Sequence, residues 1–300
     1  MKVRLLGLGA VGAPIAVRLA GVCDFAILLS PDRVARYWKD GCTVNGHRYD
    51  FPVTDQDEDD VDLIIVACKN NDLAAALDEI APHVGADTTI MSLLNGIESE
   101  NVLASRFGQD RLVWSYITNL SSVRDGRTID CFSPRGGLIR FNEREGVRTA
   151  RIDTIAHLFD EAGIWYEVSD DIIHDMWWKF AFNIAVNSLS AVMGLDYARM
   201  NRGGAFHRLL RMVWREVRQV AAAEGVVLGE RDEEMCLRVL SNIDGPGRTS
   251  MLQDVDAGRV TENRFFAGSI GAIARRHGIA TPLCDFLYTQ VETVEEAHRE

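Results

Sequence analysis

Lys179, Asn183 and Asn187 stand four residues apart in "WWKFAFNIAVN" (177–187), a stretch that is otherwise apolar and has no helix breaker. In an α-helix, residues four apart are rotated by only ~40° about the axis, so the three share one face. Trp177, Trp178, Phe180, Phe182, Ile184 and Val186 take the other faces, and a helix apolar nearly all round is a buried one. The plain alternative is a narrow solvent stripe. Solvent stripes, however, carry Glu, Lys and Arg, with acids balancing bases. One lysine and two asparagines make a better set of donors for an oxygen-rich anionic ligand. A second cluster lies in "RTSMLQDVDAGRVTENRFFAG" (248–268). Thr249 and Ser250 fall in a turn and are apt to cap the helix that follows, and their hydroxyls could equally hold a carboxylate. Glu262 is expected in the middle of that helix, where a lone glutamate is ordinarily a surface residue.

A different chemistry marks the N-terminus. "GLGAVG" (Gly7, Leu8, Gly9, Ala10, Val11, Gly12) is a G-x-G-x-x-G pattern that follows a strand and opens a helix. Gly7 permits the tight turn, Gly9 lets a pyrophosphate approach the backbone, and Gly12 lets helix and strand pack closely. The helix start then offers unpaired N–H groups and the positive dipole end to phosphates. At the end of the second strand, "LLSPDRVAR" (28–36) places Ser30 and Arg33 where a ribose 2′-phosphate would sit, with Arg36 one turn on, while Asp32 suits a 2′-hydroxyl. The expected cofactor is NADPH. Lys69 and Asn95 end two further strands, at the sheet edge where open α/β folds bind ligands. A surface lysine and a plain Asn-Gly turn are the alternatives there.

These residues need a scaffold. Strand and helix signals alternate at 2–9, 10–21, 24–30, 61–69, 72–84 and 88–96, the pattern of a mostly parallel, doubly wound sheet. Extended segments over 111–141, a helix at 151–162 and a strand at 164–169 are expected to extend that sheet and close a Rossmann-type domain at residue 168. Residues 169–300 are expected to form an all-α domain, with helices at 171–195, 203–224, 230–242, 253–276 and 281–298. Length fits two domains with real cores: 300 residues, 47% hydrophobic and 25% charged. The net charge of −12 argues against nucleic-acid and anionic-membrane partners. The six cysteines are widely spaced with no CxxC or zinc spacing, so they are expected to be free thiols in a reducing compartment, with no metal site. The acidic run 55–62 fits no calcium loop and is expected to be a solvated connection. Lys2 and Arg4 before an apolar run raise a signal peptide, which the glycine pattern argues against. No charge-free run reaches the length of a membrane span. The expected location is the cytoplasm. The long helices of the second half could pair between subunits, which leaves a homodimer open.

The motifs occur in the order "GLGAVG", Asn95-Gly96, K-x-x-x-N-x-x-x-N (179–187) and "SMLQDVDAGRVTE" (250–262). In this the whole chain resembles the ketopantoate reductase (2-dehydropantoate 2-reductase) family. The resemblance implies a Rossmann domain joined to a helical domain, with the active site in the cleft between them. It implies NADPH-dependent reduction of a 2-keto acid to a 2-hydroxy acid, 2-dehydropantoate to pantoate in pantothenate biosynthesis. Lys179 matches the family's catalytic lysine, the general acid at the carbonyl oxygen, and Glu262 matches the glutamate that acts with it. Asn183 and Asn187 match amides that orient substrate and lysine. Ser250 matches the hydroxyl near the substrate carboxylate, and Asn95 an asparagine at the nicotinamide end. The residue types agree, because a positioned ammonium both stabilises charge developing on a carbonyl oxygen and supplies its proton.

There are departures. Gly247 stands where the family often has asparagine, three residues before Ser250. Ala267 and the run "NRFFAG" replace an asparagine-bearing D-Y-x-N-G run, and "WSYIT" occupies a place where glycines are common. The departures fall on substrate recognition, so a paralogous reductase of another 2-keto acid stands as the alternative. A non-catalytic NADPH-binding regulator is a second, and a dehydrogenase using His174 as acid–base a third.

Overall fold

The computed structural model describes all residues except 31, 32, 35, 36, 38–40, 55–57, 59, 244, 246 and 298–300. Asp32 and Arg36, weighed above as cofactor determinants, lie outside the described residues. The chain divides into two compact units, Met1–Ile172 and Ile173–Glu300. The first is α/β and the second all-helical.

Among the described residues, eight strands form the main sheet of the first unit: β1 (Lys2–Leu6), β2 (Asp24–Leu28), β5 (Val53–Thr54), β6 (Leu63–Val66), β7 (Thr89–Ser92), β8 (Leu112–Thr118), β11 (Leu138–Asn142) and β12 (Trp165–Val168). Their order is β12-β11-β8-β7-β6-β1-β2-β5. Neighbours are parallel except β8 and β11. A parallel sheet is covered on both faces, so its strands are apolar throughout rather than alternating. Leu63, Ile64, Ile65 and Val66 are all wholly buried. Leu5, Ile27 and Ile65 pack with Ile15 and Leu19 of helix α1 (Gly12–Leu19). Leu6, Leu28, Ile64 and Val66 face the other way, against Leu73 and Ile80 of α2 (Leu73–Ile80) and Leu103 of α3 (Ser99–Phe107).

Not all of 111–141 joins this sheet. Strands β9 (Ser122–Asp125) and β10 (Thr128–Cys131) pair instead with β3 (Cys42–Val44) and β4 (His47–Tyr49) in a separate sheet of order β4-β3-β10-β9. Asn45 and Gly46, with φ of 49° and 77°, turn the β3–β4 hairpin as an Asn-Gly turn does. The Asn45 amide clamps the distant strand: its Nδ2 donates to the Cys131 carbonyl at 3.1 Å, and its Oδ1 accepts from the Cys131 N–H at 2.7 Å.

The acidic run is not simply solvated. Arg4 is buried in β1, where Glu58 accepts from its Nε at 2.7 Å and its Nη2 at 2.8 Å. Lys2 binds Glu58 and Asp60, and His83 lies 3.5 Å from Glu58. Burying a strand arginine requires such a partner. Asp55, Gln56, Asp57 and Asp59 of the run lie outside the described residues.

The second unit is built around α8 (Ala205–Ala223), whose Phe206, Leu210, Val213, Trp214, Val217, Val220 and Ala221 form one buried stripe. The other long helices are α9 (Glu230–Ser241) and α12 (Pro282–Ala297). The helix expected over 171–195 runs as α5 (Ile172–Phe182), a π-helical turn over Asn183–Ser188, and α6 (Leu189–Met193). The short α7 (Tyr197–Met200) follows. The helix expected over 253–276 is broken into α10 (Ser250–Asp256) and α11 (Ala267–Arg276). Gly258, at φ 62°, ends α10 in a Schellman motif: its N–H donates to the Val255 carbonyl, and the Arg259 N–H to the Asp254 carbonyl. The Thr261 N–H and hydroxyl then both donate to Glu295 Oε1, at 2.8 and 2.6 Å, and hold the chain off the helical path. Among the described residues no helix is long and apolar enough to cross a membrane.

Arg4 and Lys2 hold the Glu58 carboxyl down to about 2. Glu58→Gln should destabilise the protein by about 3–5 kcal/mol in urea unfolding at neutral pH, because it strands a buried guanidinium. In the wild type this contribution should be whole above the ordinary glutamate range and disappear as pH falls through about 2.

Candidate active site

In the first unit, the loop after β1 meets the chain leaving β6. Gly7 has φ 104°, and a Cβ there would lie 2.5 Å from the Ala67 carbonyl carbon and the Cys68 nitrogen. A Cβ at Gly12 would lie 1.9 Å from the Gly7 oxygen. These two glycines are therefore required by the protein's own backbone. Gly9 is different, because a Cβ there would meet only Arg124 Nη1, at 3.8 Å. Close approach to Gly9 is left for something other than this chain. Leu8 and Val11 pack on the core while the backbone turns into α1. The helix begins with the Ala13 N–H bonded to the Gly9 carbonyl, and no side chain caps it. Its first N–H groups are thus offered outward, as an anion site requires.

Arg124, on the edge strand β9, was not singled out from the sequence. It is exposed and its Nε donates to the Gly126 carbonyl. No carboxylate pairs with it among the described residues, and its guanidinium lies over the loop. Nothing local in the sequence signals this, since it depends on the second sheet.

Around this loop the other expected cofactor residues fall as follows. Ser30 lies just past β2, and its carbonyl accepts from the N–H groups of Arg33 and Val34. The Arg33 guanidinium pairs with Glu79 of α2 at 3.3 Å and is 42% exposed; a pair that open to water holds it weakly. Lys69 is exposed, three residues beyond β6. Its neighbour Asn70 is buried, and its Nδ2 donates to the Asn95 carbonyl at 2.9 Å, tying together the ends of β6 and β7. A second residue missed from sequence is Glu100, wholly buried at the start of α3. Its Oε2 accepts from the Ser99 hydroxyl, and burial pushes its carboxyl up to about 8, so at neutral pH it is mostly protonated.

In the second unit, Lys179 lies in the last turn of α5 and Asn183 opens the π turn. From Lys179 to Asn183 the spacing is α-helical and the shared face holds. From Asn183 to Asn187 it crosses the wider turn, which alters the strict one-face geometry. Isolated π turns are frequent at functional sites. Asn183 is 3% exposed and its buried Nδ2 has no partner among the described residues; Asn187 is also buried. Lys179 Nζ lies 5.6 Å from the centroid of the Phe182 ring. Among the described residues no carboxylate lies within ion-pair distance of it, and burial alone lowers its ammonium to about 8. Helix α10 packs against the π turn and α6. At its start, Thr249 Oγ1 accepts from the Leu252 N–H and donates to Ser190 Oγ at 3.1 Å. Ser250, next to it, is exposed. Glu262 is half-buried in the break before Asn263, rather than in mid-helix.

His174 is engaged structurally. It lies 3.8 Å from Asp175 and 3.3 Å from Asp232, which themselves sit on α5 and α9. Asp175 and then Asp232 raise its imidazolium to about 9.

The family model for ketopantoate reductase PanE/ApbA matches residues 3–138, and that for its C-terminal part matches residues 171–295. A 2-dehydropantoate 2-reductase of Archaeoglobus fulgidus is 27% identical over 301 residues, with 98% of each chain covered. The structure of 2-dehydropantoate 2-reductase from Geobacter metallireducens matches at a TM-score of 0.84 and 26% identity, covering 98% of this chain and 99% of that one. A D-mandelate dehydrogenase solved with NADH and anilino(oxo)acetate matches at a TM-score of 0.89 over 100% of both chains, and at 23% identity it shows the shared fold. A glycine-loop α/β unit followed by a lysine-bearing helical unit thus defines an oxidoreductase. The chain belongs to the ketopantoate reductase family.

The His174 pairing has a pH signature. Its raised value stabilises the folded state fully below the ordinary histidine range, and the gain is lost as pH rises through about 9. His174→Asn should remove about 1–2 kcal/mol at pH 6 and nearly nothing at pH 10, after allowing for its partial exposure. Chemical denaturation across that range checks this.

Proposed function

We propose that the protein reduces a 2-oxo acid to the 2-hydroxy acid with NADPH, and that Lys179 is the proton donor. The observation that carries this reading is Lys179 itself, a half-buried lysine whose ammonium desolvation lowers to about 8, with no carboxylate within ion-pair distance among the described residues. One helical turn on, the Asn183 amide is buried without a partner among the described residues. Both groups suit the oxygens of an oxo acid. A reduced nicotinamide, when bound, supplies the hydride for the carbonyl carbon. The residues suited to hold the dinucleotide are Gly7, Leu8, Gly9, Ala10, Val11 and Gly12 through their backbone, with Arg124 above them and Lys69 and Asn95 at the strand ends. Ser30 and Arg33 suit a 2′-phosphate. Lys179 stabilises the negative charge growing on the carbonyl oxygen, transfers a proton from Nζ to it, and regains one from water. Asn183 and Asn187 orient the acid, and the Ser250 hydroxyl binds near its carboxylate. Glu262, beyond ion-pair distance of Lys179 in this structure, acts with it through the substrate oxygen.

Burial serves this role. An ammonium near 8 is a stronger acid than an exposed lysine yet stays protonated at neutral pH. The names of the relatives make 2-dehydropantoate the first candidate substrate. A different 2-oxo acid is the second reading, favoured by Gly247, whose α-carbon faces an aromatic ring. A sensor that binds NADPH without turnover would not need the lysine.

The test is NADPH oxidation with a panel of 2-oxo acids. Lys179→Ala should lower kcat by about 10²–10⁴-fold while NADPH binding, followed by cofactor fluorescence, persists. Retained turnover in that variant, with loss in His174→Ala, would sink the assignment. In the wild type kcat/KM should fall as pH rises through about 8, as Lys179 loses its proton.

Cofactor choice is tested separately. Arg33→Ala should raise KM for NADPH and leave KM for NADH nearly unchanged. Equal efficiency of the wild type with both cofactors would refute the 2′-phosphate assignment.

A further inference from the structure

Tyr197 opens the short helix α7, and hydrogen bonds tie it to the two segments proposed to hold the substrate. Its N–H donates to the Gly247 carbonyl at 2.9 Å. Three residues on, Ser250 starts α10, and between them Thr249 donates to Ser190 Oγ at 3.1 Å. Ser190 follows Asn187 on the same helical run, and its hydroxyl donates to the Leu195 carbonyl at 2.7 Å. The segment 190–197 is thus fixed between the end of the π turn and the 247–250 turn.

The Tyr197 ring lies against Gly247. A Cβ at residue 247 would come 3.3 Å from ring carbon Cδ2 and 3.8 Å from Cε2. A side chain there would make the ring give by a few tenths of an ångström, and the φ of Gly247 lies outside the left-handed range, so conformation does not demand glycine. The glycine makes room for the ring. Three residues before Ser250, this chain thus presents an aromatic edge. The ring is largely withdrawn from water, which pushes its hydroxyl up to about 12. That hydroxyl has no hydrogen-bond partner among the described residues.

The polar groups of the site match what every 2-oxo acid shares, its carbonyl and carboxylate. What distinguishes one acid from another is the substituent on the carbonyl carbon. We infer that Tyr197, admitted by Gly247, forms the wall against which that substituent packs, and that the preferred substrates are 2-oxo acids with an aryl substituent. An aromatic wall gains from a stacked or edge-on ring beyond the area buried, a gain that an aliphatic substituent does not draw on. This inference rests on the proposed 2-oxo acid reduction and deepens it.

The experiment compares phenylglyoxylate, 2-dehydropantoate and glyoxylate as substrates for NADPH oxidation by the full-length protein. The expected wild-type kcat/KM is at least about tenfold higher for phenylglyoxylate than for 2-dehydropantoate. Tyr197→Ala should cut the phenylglyoxylate-to-glyoxylate ratio of kcat/KM by about tenfold or more, because glyoxylate has no substituent to pack. Tyr197→Phe should keep the ratio, since the ring and not the hydroxyl is the wall. Gly247→Asn, which crowds the ring without removing it, should lower the same ratio and covers the case in which Tyr197→Ala does not fold. A wild type that prefers 2-dehydropantoate overturns this inference and leaves the proposed reaction standing. So does a ratio unmoved by Tyr197→Ala or Gly247→Asn. Reduction of none of the three acids overturns both.

Discussion

An ammonium withdrawn from water is an unfavourable thing to fold when no carboxylate meets it, and among the described residues none meets Lys179 in the second unit. Desolvation alone moves Lys179 down to about 8, so the folded state accepts a charge that would be better solvated elsewhere. Such a position survives only where its surroundings overdetermine it. Here the aromatic packing of α5 supplies the rigidity: Trp177 packs edge-on to Phe180, Trp178 stacks on Phe182, and the Trp178 indole N–H donates to the Asp232 carbonyl. The π turn that follows leaves Asn183 with an unsatisfied amide. A desolvated charge and a buried amide, neither with a partner among the described residues, are two faults in stability terms on successive turns. The proposed substrate oxygens would answer both.

The first unit meets the opposite problem with the opposite solution. Arg4 is also buried, but Glu58 binds it through both carboxylate oxygens, and Lys2 and His83 gather round the same acid. That charge is fully answered by the protein and belongs to structure. The contrast separates a buried cation that holds a sheet together from a desolvated one that no carboxylate meets among the described residues.

The regular elements were legible because their signals are local. The apolar run of β6, the glycine loop and the long amphipathic α8 each carry their own periodicity. What sequence reasoning missed depends on distant pairing or on caps. The second sheet joins residues 42–49 to 122–131, although Asn45-Gly46 was a hairpin signal in plain view. Arg124 reaches the glycine loop only through that sheet. The break at 257–262 was written in Gly258, yet the apolar spacing on both sides suggested one continuous helix and moved Glu262 into its middle. The acidic run looked solvated because nothing in its own composition reveals the arginine it binds. The shared face of Lys179 and Asn183 was readable from spacing. The π turn was not, because an extra residue in a turn leaves no mark in the residue types.

The Asn45–Cys131 clamp has a further consequence, in the order of assembly. It joins residues 86 apart, with one amide both donating and accepting. Closing so long a loop comes late and slowly compared with the local βαβ units. As the chain emerges from synthesis, the glycine loop and α1 can fold tens of residues before β9 exists to bring Arg124 over them. The nascent first unit therefore passes through a stage with a complete backbone cradle and no guanidinium above it.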